Sequence, residues 1–349
     1  MQALTGKAFV GLSVAALLLS ACGSGNNTST GASGSSGSPV KLTLMVGGLN
    51  KQIYLPNMLA KQLGYFAAEN IDITLDDEAS GQATEEEVVA GAVDAGSGAY
   101  NHTIDLQAKG KNMETICQFG VAPGEAEMVR ANEASSITSA ADLKGKNLGI
   151  TELGSGTHTL TMALLGKAGV DPASAHYIGV GAGDTFIAAM QHNQIDAGMT
   201  TEPTITRLVQ SGVGKVLIDL RDPKSTEAAL GGDYPFIGIF AKNDWVNSHK
   251  DVAQRLVNVY TKTMKWMHSH TAAQIADKMP ADYLLPSKDL YVTALQNQMG
   301  QFNTDCKMPS SGPQTVLNVL KSYVPSFKSE NATIDLSKTY TNQFADNAS

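Results

Sequence analysis

The sequence predicts an α/β protein of two Rossmann-like lobes joined by two crossover strands, with a cleft between the lobes and a helical C-terminal part packed on the first lobe. Short apolar strands alternate with amphipathic helices twice along the chain, as in parallel sheets with covered faces. Glycine turns follow several strands, and ligands bind at that edge of such sheets. Two β-prone runs, at 117–130 and 234–241, stand where the chain would pass between lobes.

The first alternation occupies residues 41–109. Pro56 is placed in the first turn of a helix, where its missing N–H removes no hydrogen bond. The acidic run Glu85–Glu87 is interpreted as the solvated start of another helix, because carboxylates favour the positive end of the helix dipole. The predicted elements are a strand at 41–46, a helix at 54–68, a strand at 71–75, a helix opened by 85–87, a strand running into a glycine turn at 93–98, and a helix at 101–109.

The second alternation opens at residues 144–172, with a strand at 147–152, a glycine turn, and a helix from about 157 to 168 that Gly169 can end in the left-handed conformation. The turn, Gly154-Ser155-Gly156, would bring free backbone N–H groups, hydroxyls and the positive helix end to one point, which can bind an anion. A tight turn with an N-cap serine explains the same residues.

Two echoes suggest that the lobes are built alike. Residues 91–96 are echoed at 194–198, each after an amphipathic helix, and the Gly-Ser-Gly of 96–98 is echoed at 154–156. Both glycine turns are therefore expected at the cleft. Beyond 241 the pattern is helical, with predicted helices at 252–268, 271–279, 288–302 and 314–323.

The N-terminal residues have the anatomy of a signal peptide: one cation, Lys7, then an apolar run and Leu19-Ser20-Ala21-Cys22. The last four residues resemble the bacterial lipobox, which implies lipidation of Cys22 and anchoring to a membrane. An ordinary secretory signal with an incidental cysteine is the alternative. The predicted divisions are a lipoprotein signal peptide at 1–21, a flexible Gly/Ser tether at 22–40, the first lobe at 41–124 and 239–349, and the second lobe at 125–238.

The amino-acid composition limits the kinds of partner and cofactor that the protein is expected to bind. The formal net charge of the 349 residues is −8 and no basic cluster appears, which argues against a nucleic-acid partner. Cys117 and Cys306 either pair or remain thiols, Cys117 then being a small buried hydrophobe. No His, Cys and carboxylate cluster has metal-ligand spacing, so we expect neither a metal nor a cofactor.

Several motifs in order and at family spacing resemble the solute-binding proteins of bacterial ABC importers, in particular the family of nitrate, sulfonate, taurine, bicarbonate and thiamine-precursor pyrimidine binders. The resemblance covers the chain from Lys41 to about Phe240. The motifs are Leu63-Gly64-Tyr65-Phe66, Ala108-Lys109-Gly110, Asp142-Leu143-Lys144-Gly145-Lys146, Gly154-Ser155-Gly156-Thr157, Ala168-Gly169-Val170-Asp171-Pro172, Ile195-Asp196-Ala197 and Glu202-Pro203.

The resemblance implies two lobes that close on a solute by a hinge, and it places ligand contacts at strand ends facing the cleft. Tyr54 and Tyr100 would either stack on a planar solute or pack within a lobe. His102 and His158 each follow a glycine turn, and their contact with solute is left open. The implied ligand-binding residues are Leu49, Asn50, Tyr54, Ser97, Gly98, Tyr100, Ser155, Gly156, Thr157, Asp184 and Glu202.

The charge of the solute is not fixed by these residues. Asp184 and Glu202 would repel a small anion if both faced the cleft, and no arginine occupies a matched cleft position. Arg130 and Arg207 are the nearest candidates, and neither stands at a strand-end turn. The sequence therefore does not favour nitrate or sulfonate.

The resemblance implies a monomeric, extracytoplasmic, lipid-anchored binding protein, without catalytic residues, that hands a small organic or anionic solute to permease subunits. One alternative is an enzyme of pyrimidine-precursor synthesis on the same fold, although such enzymes carry a cysteine-rich motif that this chain lacks, and no G-x-S-x-G or H-E-x-x-H motif occurs either. Another is a tethered solute sensor that is not coupled to import.

Overall fold

The computed structural model describes residues 37–330 and 332–348, so the leader, Cys22 and most of the tether lie outside the described residues. The residues from Ser38 onward form one compact unit containing two five-stranded sheets. The strands are β1 (Val40–Val46), β2 (Ile71–Asp77), β3 (Ala95–Ala99), β4 (Met113–Gln118), β5 (Glu125–Arg130), β6 (Asn147–Ile150), β7 (His176–Gly179), β8 (Ala197–Thr201), β9 (Gly214–Leu220) and β10 (Ile237–Lys242).

Helices cover the sheets and form most of the C-terminal part. The α-helices are α1 (Leu55–Gln62), α2 (Tyr65–Ala68), α3 (Gly81–Ala90), α4 (Asn101–Ala108), α5 (Gly156–Lys167), α6 (Asp184–Gln191), α7 (Thr204–Gln210), α8 (Pro223–Leu230), α9 (Asn243–Ser248), α10 (Lys250–His268), α11 (Ala272–Ala276), α12 (Lys288–Gln298), α13 (Gly312–Tyr323), α14 (Pro325–Glu330) and α15 (Gln343–Asp346). Short 3₁₀ helices lie at Gln52–Tyr54, Ala140–Leu143, Pro172–Ser174, Ala281–Leu284, Met299–Gln301 and Leu336–Lys338.

The two sheets have the same mixed topology. The first has the order β2-β1-β3-β10-β4 and the second β7-β6-β8-β5-β9. In each sheet the fourth strand in the order is antiparallel to both neighbours, and the other four strands run in one direction. The chain leaves the first sheet between β4 and β5 and returns between α8 and β10. The two-lobed fold with two crossings is thus confirmed.

The echo around the two aspartates reflects equivalent structure. Asp94 donates its N–H to the carbonyl of Thr43 at 3.1 Å and accepts the Thr43 N–H on its carboxylate at 2.8 Å. Asp196 makes the same pair of bonds with Asn147, at 2.8 and 3.0 Å. Each aspartate immediately precedes the central strand of its sheet, β3 or β8, and joins the start of that strand to the neighbouring strand, β1 or β6.

The Gly-Ser-Gly echo is wrong as a structural equivalence. Gly96, Ser97 and Gly98 lie inside β3, and the Phe240 ring packs where side chains of Gly96 and Gly98 would stand. The equivalent of the Gly154–Gly156 turn in the first sheet is the segment after β1, because both follow the strand next to the sheet edge. The small residues at 96–98 therefore allow close packing within a strand, whereas those at 154–156 form a turn.

Two helix predictions are also corrected. The helix expected at 54–68 is divided into α1 and α2, because Gly64 adopts a left-handed conformation with φ of 73°. The acidic run does not open α3. That helix begins at Gly81 with Ser80 as N-cap, and Glu85 is buried in its middle beside His102.

The C-terminal helices reach both lobes. Helix α10 packs on α1, α2 and β4 of the first lobe, as expected, but α12 contacts α7 and α13 contacts α5 in the second lobe. A disulfide between Cys117 of β4 and Cys306 ties the segment after α12 to the first sheet. Among the described residues, no helix is long and apolar enough to cross a membrane.

Candidate functional site

A cavity lies between the lobes, with walls from both. It has a volume of about 310 Å³, part of which is open to solvent. The first lobe supplies the segment after β1, the start of α3, the junction of β3 and α4, and the start of β10; the second supplies β5, the end of β6, the start of α5 and the end of β8. The lining residues are Lys51, Ile53, Tyr54, Gly81, Ala99, His102, Glu125, Thr151, Ser155, Gly156, Thr157, Thr201, Phe236 and Ile237.

Four of the predicted site residues line this cavity: Tyr54, Ser155, Gly156 and Thr157. The Ser155 hydroxyl caps α5 by accepting the His158 N–H at 3.5 Å, and it donates to the Glu152 carbonyl at 2.7 Å. The Thr157 hydroxyl accepts the Thr151 N–H at 2.9 Å. Both hydroxyls hold the turn together, so the turn presents its backbone N–H groups to the cavity rather than free hydroxyls.

Lys51 contributes an ammonium group to the cavity wall, but this group is already hydrogen-bonded within the protein. Its Nζ donates to the carbonyls of Gly47 at 2.6 Å and Ala79 at 2.8 Å. Burial lowers the pKa of Lys51 to about 8, against the attraction of Glu125, Asp77 and Glu152. The Lys51 amine therefore stabilises the first lobe through these two bonds more than it contributes to binding a solute.

Glu125 is the acidic group of the cavity, and sequence reasoning missed it. It lies at the start of β5, is 3% exposed, and its Oε2 has no hydrogen-bond partner among the described residues. Burial raises its pKa to about 8, against the effect of Lys51. The sequence contained a signal for this residue, because Glu125 stands in a β-prone run at a predicted crossing between lobes. Burial of an acidic side chain in a strand is unfavourable, so such a residue is a candidate for a functional role.

His102 also lines the cavity, which the sequence left open. The ring is fully buried, with Nδ1 2.8 Å from Glu85 Oε2 of α3. His158 does not: its Nδ1 accepts the Gly154 N–H at 3.1 Å, its ring contacts Tyr177, and it faces a different pocket. Burial lowers the pKa of His158 to about 4.

Three residues predicted on β3 and after it are buried in the first lobe and do not line the cavity. The Ser97 hydroxyl accepts from Asn57 Nδ2 at 3.1 Å, and Gly98 packs against Phe240. The Tyr100 hydroxyl lies 2.6 Å from Thr339 Oγ1, which anchors the C-terminal segment, and burial raises the pKa of Tyr100. Because β3 is covered by neighbouring strands and α3, its side chains serve packing.

Leu49, Asn50 and Asp184 lie at the outer mouth of the cleft. Asn50 and Asp184 line a wider open pocket there, together with Arg207, and the Leu49 N–H donates to Asp77 Oδ1 at 2.7 Å. Asp184 is exposed and forms an ion pair with Arg207. None of these three residues lines the cavity.

Glu202 is buried within the second lobe. Its carboxylate accepts from the Thr206 N–H at 2.9 Å, the Thr206 hydroxyl at 3.0 Å and Arg221 Nη1 at 2.6 Å. Burial raises its pKa, while Thr206 and Arg221 oppose this. The expected repulsion of an anion by Glu202 is therefore absent, because an arginine that sequence reasoning did not consider balances it. Its carbonyl accepts the Gln52 N–H of the other lobe at 3.0 Å.

No group of three or more His, Cys, Asp or Glu side chains within 37–330 and 332–348 is arranged to hold a metal ion. The cavity wall thus contains the N-terminus of α5, the buried carboxyl group of Glu125, the imidazole of His102 and the hydrogen-bonded ammonium of Lys51. Together these groups provide both hydrogen-bond donors and acceptors for a small polar molecule.

Comparison with known proteins identifies a family and several similar proteins. A sequence model of the family described as "NMT1/THI5 like" matches residues 53–273. A structure of a Bordetella bronchiseptica protein superposes with a TM-score of 0.84 at 32% identity, covering 89% of this chain and 97% of that one. The ligand-binding component of an ABC-type import system from Staphylococcus aureus, with zinc bound, has a TM-score of 0.68 at 17% identity, covering 90% and 99%.

The third match is a curated relative, 4-amino-5-hydroxymethyl-2-methylpyrimidine phosphate synthase of Legionella pneumophila. It is 29% identical over 160 residues, which make up 46% of this chain and 48% of the relative. The chain thus spans about half the length of that relative.

Proposed function

The chain belongs to the NMT1/THI5-like family, and from this premise we propose that it is an extracytoplasmic solute-binding lipoprotein. It captures one small organic or anionic solute between its lobes and delivers it to the permease subunits of an ABC importer. Cys22 carries the lipid anchor, and residues up to 40 form the tether. The chain works as a monomer, with lobes at 41–124 plus 239–349 and at 125–238; the crossings next to β5 and β10 support these boundaries.

The observation that carries the proposal is a cavity whose walls come from two different sheets. A solute that contacts both walls favours the arrangement in which the lobes are close together, so binding and closure are coupled. Direct contacts across the cleft support a closed state: the Ser80 hydroxyl donates to the Glu152 carboxylate, and the Gln52 N–H donates to the Glu202 carbonyl. A permease can recognise that closed surface. The resemblance to an import-system component supports the same role.

An enzyme on this fold is the second candidate, and the name of the Legionella relative is the observation that favours it. His102, whose Nδ1 lies 2.8 Å from Glu85 Oε2, lines the same cavity as Lys51, whose pKa is lowered, and catalysis can use such groups. Turnover separates the two candidates, because a binding protein returns its solute unchanged.

The test is native mass spectrometry of the leader-free protein, followed by titration calorimetry with whatever small molecule copurifies. We expect one molecule per chain, released unchanged on denaturation. Steady conversion of that molecule to a product would replace the binding role with an enzymatic one. Labelling of Cys22 with a fatty-acid analogue in cells, with Cys22→Ala as control, tests the anchor.

A further inference from the structure

Resting on the proposed binding role, we propose that three buried glutamines, Gln52, Gln298 and Gln301, couple separation of the lobes to movement of the first crossing between them. We call these residues the glutamine relay. None of the three lines the cavity. They are positioning residues, which act on a solute only through the segments that they hold.

One end of the relay lies where the two lobes touch. Gln52 stands between Lys51 and Ile53, which both line the cavity, and its N–H donates to the Glu202 carbonyl of the second lobe at 3.0 Å. Its side-chain Nε2 donates to the Tyr291 carbonyl of α12 at 2.9 Å. The cavity segment, the second lobe and α12 therefore meet at this one residue.

The side-chain amides of the relay follow one another in a single direction. Because the Tyr291 carbonyl can only accept, Gln52 Nε2 is the donor there, and Gln52 Oε1 accepts Gln298 Nε2 at 2.8 Å. Gln298 Oε1 in turn accepts Gln301 Nε2 at 2.6 Å. All three residues are at most 2% exposed. Loss of one amide would leave the next group unpaired away from water, so the three bonds stabilise one another.

The other end of the relay holds the first crossing, residues 119–124 between β4 and β5. The Gln301 carbonyl accepts the Val121 N–H at 2.7 Å. The Gln301 amide packs on Gly124, where an added Cβ would stand 2.0 Å from Gln301 Oε1. Gly124 directly precedes Glu125 at the cavity wall. A shift of the crossing would therefore displace Gln301.

Helix α12 makes a second contact with the other lobe. Asn297, next to Gln298, donates from Nδ2 to the Thr206 hydroxyl at 3.3 Å, and that hydroxyl donates to the Glu202 carboxylate at 3.0 Å. Residues 202–206 of the second lobe are thus held both by Gln52 and by α12. Separation of the lobes breaks both contacts, and the relay connects them to the crossing, which must bend when the lobes separate.

Packing by itself does not require glutamines at these positions, because apolar groups of the same shape can replace a bonded polar pair at little cost. Hydrogen bonds between amides are directional, and a fully bonded buried network fixes one arrangement of the segments that it joins. The relay therefore favours one relative position of the cavity segment, α12 and the crossing.

Hydrogen exchange of single backbone amides, followed by NMR on the folded, leader-free chain without added solute, tests the relay. The Gln52 N–H reports separation of the lobes, and the Val121 N–H reports movement of the crossing. Gln301→Met keeps a side chain of similar length and removes the amide donor. We expect it to speed exchange at Gln52 about fivefold or more, although the two side chains are joined through Gln298.

The coupling should also run in the opposite direction, because coupling between two sites is reciprocal. Asn297→Ala removes a bond between α12 and the second lobe, so we expect it to speed exchange at Val121. Gln254→Met is the matched control, since Gln254 also donates an amide N–H to a backbone carbonyl, that of Phe344 at 2.9 Å. This control should leave exchange at both reporter amides within about twofold of wild type.

The Asp94 N–H, which is bonded within the first sheet, measures general loss of stability. Unchanged exchange at Gln52 in Gln301→Met, or equal acceleration at Gln52 and Asp94, would overturn the relay. Unchanged exchange at Val121 in Asn297→Ala would overturn it as well. These outcomes leave the binding role intact, because no solute is used. Turnover of the molecule that copurifies would instead overturn the binding role.

Discussion

Ser80 and Glu152 meet across the cleft: the Ser80 hydroxyl, buried at the start of α3, donates to the carboxylate of Glu152, which follows β6 in the other lobe. The same hydroxyl accepts the Ala83 N–H at 3.1 Å and so caps its own helix. The contact therefore brings a negative group of one lobe to the positive end of a helix in the other. We infer that it stabilises the closed state.

Removal of this contact should loosen closure without unfolding the protein. We expect Glu152→Ala to weaken solute binding by about 1 to 2 kcal/mol, mainly through faster release, because a charge-assisted hydrogen bond is lost from the closed state alone. Glu152→Gln, which keeps an acceptor, should lose less. Stopped-flow release and calorimetry measure both. Unchanged release in Glu152→Ala would show that the contact forms without contributing to closure.

Ser80→Ala should differ from Glu152→Ala, because it also removes an N-cap. We expect it to lower the free energy of unfolding by about 0.5 to 2 kcal/mol in addition to its effect on binding. Urea denaturation without solute separates the two effects. Equal stabilities of the two variants would contradict the capping role.

The disulfide should contribute to stability over a long loop. Cys117 and Cys306 are both buried and are 189 residues apart in sequence. We expect the double variant Cys117→Ala with Cys306→Ala to unfold with about 2 to 5 kcal/mol less free energy. Wild type treated with a reductant should move toward the variant, and the variant should not respond. A reductant effect of equal size on both would assign it to something other than this bond.

Asp94 and Asp196 should both contribute to the free energy of unfolding, because they make equivalent hydrogen bonds in the two sheets. Asp94→Ala and Asp196→Ala each remove the carboxylate that accepts a strand N–H, at Thr43 and Asn147. We expect each to cost about 1 to 3 kcal/mol of unfolding free energy, with the larger loss at Asp196 because Arg130 also pairs with it at 3.0 Å. Chemical denaturation measures both, and Asp72→Ala on an exposed position of β2 is a control that should stay near wild type.

Glu127 should make stability fall as pH rises. Burial raises its pKa from the usual 4.5 to about 8, with the Thr161 hydroxyl opposing. Between these two values the folded protein keeps a proton that the unfolded chain releases, so stability is greatest below the lower value and is lost as pH rises toward the upper one. We expect Glu127→Gln to flatten this dependence by up to about 1.4 kcal/mol per pH unit. Denaturation curves between pH 5 and 8 for both proteins test this, and parallel curves would contradict it.

Most strands and helices could be predicted from the sequence, because the signals for them lie within each segment. Strands β1, β2, β5 and β10 and helices α4, α5, α10 and α13 follow from hydrophobic periodicity and from Gly and Pro positions. The crossings followed from where β-prone runs interrupted the alternation. The errors at α2 and α3 are errors of boundary, where one glycine conformation and one capping serine decided.

The candidate site was predicted only in part. Tyr54 and the turn Ser155–Thr157 were found because a turn between strand and helix is visible in sequence and parallel strands fix where it lies. The pairing of Cys117 with Cys306, left open by the sequence, was decided by the packing of the segment after α12 on the first sheet.

The sequence by itself determined two α/β lobes, their crossings, and a helix start facing a cleft, since each rests on contacts between residues close in the chain. Only the tertiary structure decided which polar groups remain free inside that cleft. The Lys51 ammonium is hydrogen-bonded to backbone carbonyls, Glu202 is paired with Arg221, and His102 Nδ1 lies 2.8 Å from Glu85. Among the described residues, Oε2 of Glu125 has no hydrogen-bond partner. Such pairings join distant segments, so no local pattern records them, and they determine what the cleft can bind.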